Sequence, residues 1–123
     1  MTTEPEPVCG TVSREWLVLT CLRFSGEEDG SPVEVLAREL MEPEQAMDAF
    51  DWISRTALLR TDGLFTHESG RALDRWLHDR HSSKRLARTL SEPGGEFELE
   101  LATRGGIVFA LRVEHRSIVA AVL

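Results

Sequence analysis

The chain has 123 residues, 41% of them apolar and 28% charged, with a formal net charge of −7. That length supports one hydrophobic core but hardly two, and the apolar fraction is that of a globular chain rather than a disordered one. No apolar run approaches the roughly 20 residues of a membrane-spanning helix, and MTTEPEPVCG carries no basic segment followed by an apolar core, so the expectation is a cytoplasmic protein that makes no use of a membrane.

Residues 1–12, with Pro5, Pro7 and Gly10 among polar neighbours, read as a flexible tail. Ser13 is placed to cap a first helix over Arg14–Phe24, although Trp16 to Leu22 is so continuously apolar that a buried strand fits almost as well. SGEEDG at 25–30 reads as an exposed loop. Ser31-Pro32-Val33-Glu34 has the form of a capping box, with proline at the first helical position, and predicts a helix through VEVLARELM. Glu42-Pro43 ends it and opens a second helix, in which Ala46, Ala49, Phe50, Ile53 and Ala57 form a buried stripe. Glu44, Asp48, Asp51, Trp52 and Arg55 fall on the opposite face of that wheel.

Leu58 to Arg60 and Leu64 to Thr66, separated by Asp62-Gly63, have the pattern of a very short hairpin. A further helix over 71–80 bends or restarts near His81-Ser82-Ser83 and continues through SKRLARTLSE until Pro93-Gly94-Gly95 stops it. From Glu96 the period changes to two, with Phe97, Leu99 and Leu101 alternating with Glu96, Glu98 and Glu100. IVFALRV and SIVAAVL, joined by Glu114-His115-Arg116, complete a three-stranded antiparallel meander over 96–123, packed on residues 13–91 as part of one folding unit. The last strand is apolar on both faces, which predicts a covered strand or a subunit interface.

Leu36-Ala37 with Leu40, then Phe50 and Ile53, Leu58-Leu59, and Phe65-Thr66 with Gly70 and Leu73 follow one another in a familiar order. On these residues 31–77 resembles the winged helix-turn-helix superfamily of bacterial transcription regulators. The resemblance implies an α+β fold in which a winged helix-turn-helix is followed by a helix and the meander. It also implies duplex DNA as a partner, and the chain would act as a dimer. The chain departs from the family pattern in two ways: Ala57 stands where glycine usually ends the recognition helix, and Asp48 and Asp51 stand where basic or hydroxylated side chains are usual. Carboxylates there repel phosphates.

Charge is segregated along the chain. Residues 1–51 hold twelve acids and three bases, whereas residues 52–91 hold eight bases and four acids. A DNA contact therefore falls on the wing and the basic helix, through Arg60, Arg71, Arg75, Arg80, Lys84, Arg85 and Arg88. A solvated helix face, partly neutralised by Asp74 and Asp79, explains the same residues about equally well. The alternative is a protein-interaction module in which Glu44, Asp48, Asp51, Trp52 and Arg55 meet a basic protein partner, with Trp52 either exposed as an anchor or covered by the C-terminal region.

No metal or cofactor is expected. Cys9 and Cys21 lack zinc-site spacing, and Cys21 sits in an apolar run where a buried thiol is the simplest reading, a Cys9–Cys21 disulfide being the other. Asp74, His78 and His81 share a helical face without the Glu-His motif of a metal helix. His67 and His115 are isolated, and neither glycine pair has the lysine and spacing of a phosphate loop. No nucleophile motif is present, so the chain reads as non-catalytic.

Overall fold

The structure, a computed structural model, describes residues 11–25, 34–59 and 64–121. Two long strands form its centre. Strand β1 (Thr11–Ser25) is rich in Trp, Val, Leu, Thr and Phe, which suit a pleated surface, and it pairs antiparallel with β4 (Ile107–Ala121) over the whole length of both. Strand β2 (Glu34–Met41) flanks β1, and β3 (Glu96–Ala102) flanks β4, giving a four-stranded antiparallel sheet in the order β2-β1-β4-β3. Between the two hairpins come a short 3-10 turn (Pro43–Gln45) and helices α1 (Ala46–Leu59), α2 (His67–His78) and α3 (Ser82–Leu90).

This architecture replaces the expected one. The fold is α+β, but residues 34–41 pair with β1 as a strand, so the first helix of a helix-turn-helix is not formed; Ser31 to Val33 lie outside the described residues. Residues 13–24 belong to β1 rather than to a helix, and the expected tail loses residues 11 and 12 to the same strand. The wing is absent as drawn, because Leu58 and Leu59 finish α1 and Phe65 forms an isolated bridge with Thr103; residues 60–63 lie outside the described residues. The three-stranded meander is also corrected. Glu114-His115-Arg116 does not turn, since Val113 and His115 point inward, Glu114 and Arg116 outward, and the strand runs through.

Local chemistry explains the helices. Glu42 caps the turn into α1, its backbone N–H donating to the Gln45 side chain at 3.0 Å, and Pro43 needs no N–H in the first turn. The Thr66 hydroxyl accepts from the Ser69 N–H at 3.2 Å and starts α2, while the Ser69 hydroxyl accepts from the Ala102 N–H at 2.7 Å and ties that helix to the end of β3. Helix α3 restarts directly after the Asp79–His81 corner, where the Asp79 carboxylate takes the His81 N–H at 2.8 Å and the Arg85 guanidinium at 2.6 Å. Those two contacts, Arg85 first, hold the Asp79 carboxyl below its ordinary pKa.

All three helices lie on one face of the sheet. Leu17, Leu19 and Cys21 of β1, Phe109, Leu111 and Val113 of β4, and Leu101 of β3 are buried in a single cluster with Ala49, Ile53, Leu73, Leu86 and Leu90. Trp76 of α2 completes the layer, its ring 4.9 Å from Phe50 of α1 and 4.7 Å from Phe97 of β3. Cys21 is thus a core side chain; Cys9 lies outside the described residues.

Candidate interaction surfaces

The sheet face opposite the helices carries the even-numbered side chains of β1, β3 and β4. On β1 these are Trp16, Val18, Thr20, Leu22 and Phe24; on β4, Val108, Ala110, Arg112, Glu114 and Arg116; on β3, Glu96, Glu98 and Glu100. Val35, Arg38 and Leu40 join them from β2, where Leu22 pairs with Val35, Thr20 with Arg38 and Val18 with Leu40. None of the apolar members packs against the core cluster beneath the helices, and no described helix or strand lies over them. Val35 and Leu40 are each 49% exposed.

Across this face the chemistry divides lengthwise. The β2 and β1 half is apolar except for Arg38 and Thr20. The β3 edge is acidic and β4 is mixed, with Val108 and Ala110 beside Arg112, Glu114 and Arg116: Glu96 stands directly opposite Glu114, and both belong to a hollow of about 410 Å³ shared with Phe97, Glu98 and Arg112. Arg112 pairs with Glu98, and Arg116 with Glu114. Among the described residues neither Glu96 nor Glu100 has a cation within ion-pair distance. The Arg14 guanidinium lies 4.3 Å from the Trp16 ring centroid and also bonds Glu42 at 2.5 Å, closing one end of the apolar half.

The basic residues fall on the helical layer. Arg71, Arg75, Arg80, Lys84, Arg85 and Arg88 are all exposed. Arg85 is held by Asp79, and the other five have no acid within 4.0 Å among the described residues. Arg71 and Arg75 line a shallow depression with Asp74, His78 and Asp79. Arg60 lies outside the described residues.

The other expected surface breaks up. Glu44, Asp48, Asp51 and Arg55 are exposed, but Trp52 is only 8% exposed and does not stand at the centre of an outward patch. Helix α1 packs on α3 as well as on the sheet, so its buried arc extends past the predicted stripe to Trp52 and Thr56. The edge of that indole contributes to a groove between α1 and β2, with Ala37, Glu39, Arg55, Thr56 and Leu59.

His115 was not legible as more than an isolated histidine. It is 5% exposed, and its Nδ1–H donates to the carbonyl of Leu90, the last residue of α3, at 2.7 Å. Because a carbonyl only accepts, this contact places the proton on Nδ1. Nε2 lies 3.0 Å from Oε1 of Glu15, an ion-pair approach without the alignment of a hydrogen bond. The pair sits at the base of a cleft lined by Arg14, Glu42, Pro43, Glu44, Ser91 and Pro93. Ser91 is turned away from it, donating to the Arg88 carbonyl at 2.8 Å, so the cleft has no nucleophile aligned with the imidazole. Asp74 and His78 pair with each other on α2, and no three His, Cys, Asp or Glu side chains converge as metal ligands among the described residues.

Fold and surface together define a two-layer α+β domain in which no described helix or strand lies over one face of the sheet. No protein family, curated protein or solved structure matches this chain.

Proposed function

We propose that this chain is a non-catalytic protein-interaction domain that contacts its partner through the open face of the sheet. The observation that carries the reading is that β1 is largely apolar on both faces between residues 16 and 22 while the described helices cover only one, and that Val35 and Leu40 stand half-exposed beside its uncovered face. An antiparallel sheet with a wet face normally alternates apolar-in and polar-out, and exposed apolar side chains grouped together, here Val35 and Leu40 beside the buried Leu22, mark interaction sites. The size is adequate. Strand rise and spacing give the face roughly 700 Å², close to the ~800 Å² that each partner contributes to a standard interface. Photo-crosslinkers placed singly at Leu40, Asp48 and Arg75 test the reading in the native host. Adducts from position 40 and not from the two helical positions are expected; adducts confined to Asp48 or Arg75 overturn it.

A second reading is supported by the five exposed cations of α2, α3 and their junction. They suit a polyanion such as duplex DNA, approached by the helical layer without a wing. Anisotropy titration with labelled duplex at low salt tests it: salt-sensitive binding lost on Arg71→Glu with Arg75→Glu is expected, and absence of binding at about 50 µM protein removes the reading.

A further inference from the structure

We infer that the partner seated on the open face presents an apolar ridge flanked on one side by lysine or arginine side chains. This rests on the assignment of that face as the contact surface. The argument is charge complementarity across the four-stranded rows. The row through Val18 reads Leu40, Val18, Glu114, Glu96 from β2 to β3, the row through Thr20 reads Arg38, Thr20, Arg112, Glu98, and the row through Leu22 reads Val35, Leu22, Ala110, Glu100. Apolar side chains of β2 and β1, interrupted by Arg38 and Thr20, therefore lie on one side of the face, and β3 presents a glutamate in every row on the other. On the acidic side, Glu96 and Glu114 are direct cross-strand neighbours, a like-charge arrangement that weakens a sheet. Arg116 answers Glu114 and Arg112 answers Glu98, which leaves Glu96 and Glu100 facing outward with no cation of their own among the described residues. A partner cation over β3 removes that repulsion, while the apolar ridge covers Val18, Val35 and Leu40.

A second copy of this chain does not fit as well. If the face stacks on itself by a two-fold axis along the strands, the acidic side lies on the partner's apolar side. If the axis runs across the strands, Glu96 to Glu100 meet the same carboxylates of the other copy. The chain's own basic helical layer offers the right charge, but contact between two unlike faces cannot make a closed two-fold dimer and builds a ring or a filament.

The probe is a 20-residue amphipathic helix with a leucine stripe bordered on one side by lysines, about 30 Å long and so able to span the face. A matched peptide carries glutamate at each lysine position. With the full chain at low salt, the lysine peptide is expected to bind at least about tenfold tighter, because several weak exposed pairs attract in one peptide and repel in the other. Glu96→Lys with Glu100→Lys inverts the preference, and backbone amide shifts fall on β3 and β4. Both substitutions are at exposed positions outside any ion pair, so circular dichroism should be unchanged.

Equal binding of the two peptides, abolished by Leu40→Asp, overturns the charge inference while leaving the face as the contact surface. No binding of either peptide at about 100 µM, with crosslinks only from the helical layer, removes both. Self-association of the free protein that Leu40→Asp disperses makes a second copy the occupant and overturns the inference as well.

Discussion

Replacing His115 separates a structural anchor from a spare side chain. The imidazole joins three parts of the fold: its Nδ1–H holds the Leu90 carbonyl, its backbone N–H donates to the Gly95 carbonyl at 2.8 Å, and its own carbonyl accepts from Gly94 at 3.0 Å. A leucine keeps the two backbone bonds and much of the volume but strips the Leu90 carbonyl of its side-chain donor at a helix end that has turned away from water. Leaving a buried acceptor unpaired costs about 1–3 kcal/mol, a readable share of the roughly 5–15 kcal/mol that holds a domain together. Glu15 adds little to that sum, because its carboxylate is 39% exposed and can turn to solvent. His115→Leu is therefore expected to lower stability by about 1–3 kcal/mol, and His115→Asn by about 1 kcal/mol less, since an asparagine Nδ2 stands near the position of the imidazole Nδ1 and can still donate. Urea unfolding with an unchanged slope measures both. A leucine variant within about 0.5 kcal/mol of the parent, or an asparagine variant no better than leucine, refutes the reasoning.

The turn that receives His115 makes its own prediction. A Cβ on Gly95 would lie 2.0 Å from the Thr89 carbonyl oxygen, a backbone atom that cannot swing aside, so Gly95→Ala should destabilise by about 2 kcal/mol or more. Gly105→Ala, where the nearest atom is the Thr103 hydroxyl at 3.9 Å, is the near-neutral control; similar melting points for the two would contradict the packing argument. At the α2–α3 corner, Arg85 and the His81 N–H lower the Asp79 pKa, so the contribution of Asp79 is present above the ordinary carboxylate range and is lost as pH falls through its depressed folded value. Melting curves of the parent and Asp79→Asn should thus differ above about pH 5 and converge in stronger acid, whereas a pH-independent gap would show that the carboxylate is not the group responsible.

What could be read from the sequence follows from how clean each periodicity is. Helices α1 and α3 carry a 3.6-residue stripe and β3 a strict alternation, and all three lie where those patterns put them. Strand β2 misled for a specific reason. EVLARELM is composed largely of good helix formers, and an irregularity in its pairing, between the partners of Cys21 and Leu22, shifts the alternation at Leu36. On one side of the shift Ala37, Glu39 and Met41 share the helix-facing side; on the other, Val35 turns to the open face. The outcome imitates an LA..L helix, and pairing with β1 overrides the local preference. The site was less legible. Trp52 is covered because α1 has two packing partners, which no single helical wheel shows, and the join of His115 to Leu90 spans 25 residues.

The ambiguity of β1 and the proposed contact surface have the same origin. A strand that alternates apolar and polar declares its period because only one face is buried; a strand apolar on both faces declares nothing. Trp16 to Leu22 fitted helix and strand almost equally for that reason, and SIVAAVL was apolar on both sides in the same way. In the sheet residues 16–22 and 117–121 fall in the two central strands, where the odd side chains of β1 join the core beneath the helices and the even ones do not. If solubility alone governed the outer face, the charges of β3 should extend across β4 and β1. They stop at Glu114 and Arg112, and Val18, Leu22 and Ala110 take over. Polar substitution is available at Val35 and Leu40, each half-exposed on the same face, without disturbing the helix-facing core. The boundary between acidic and apolar sides is therefore better explained by a surface shaped for a partner than by the demands of folding.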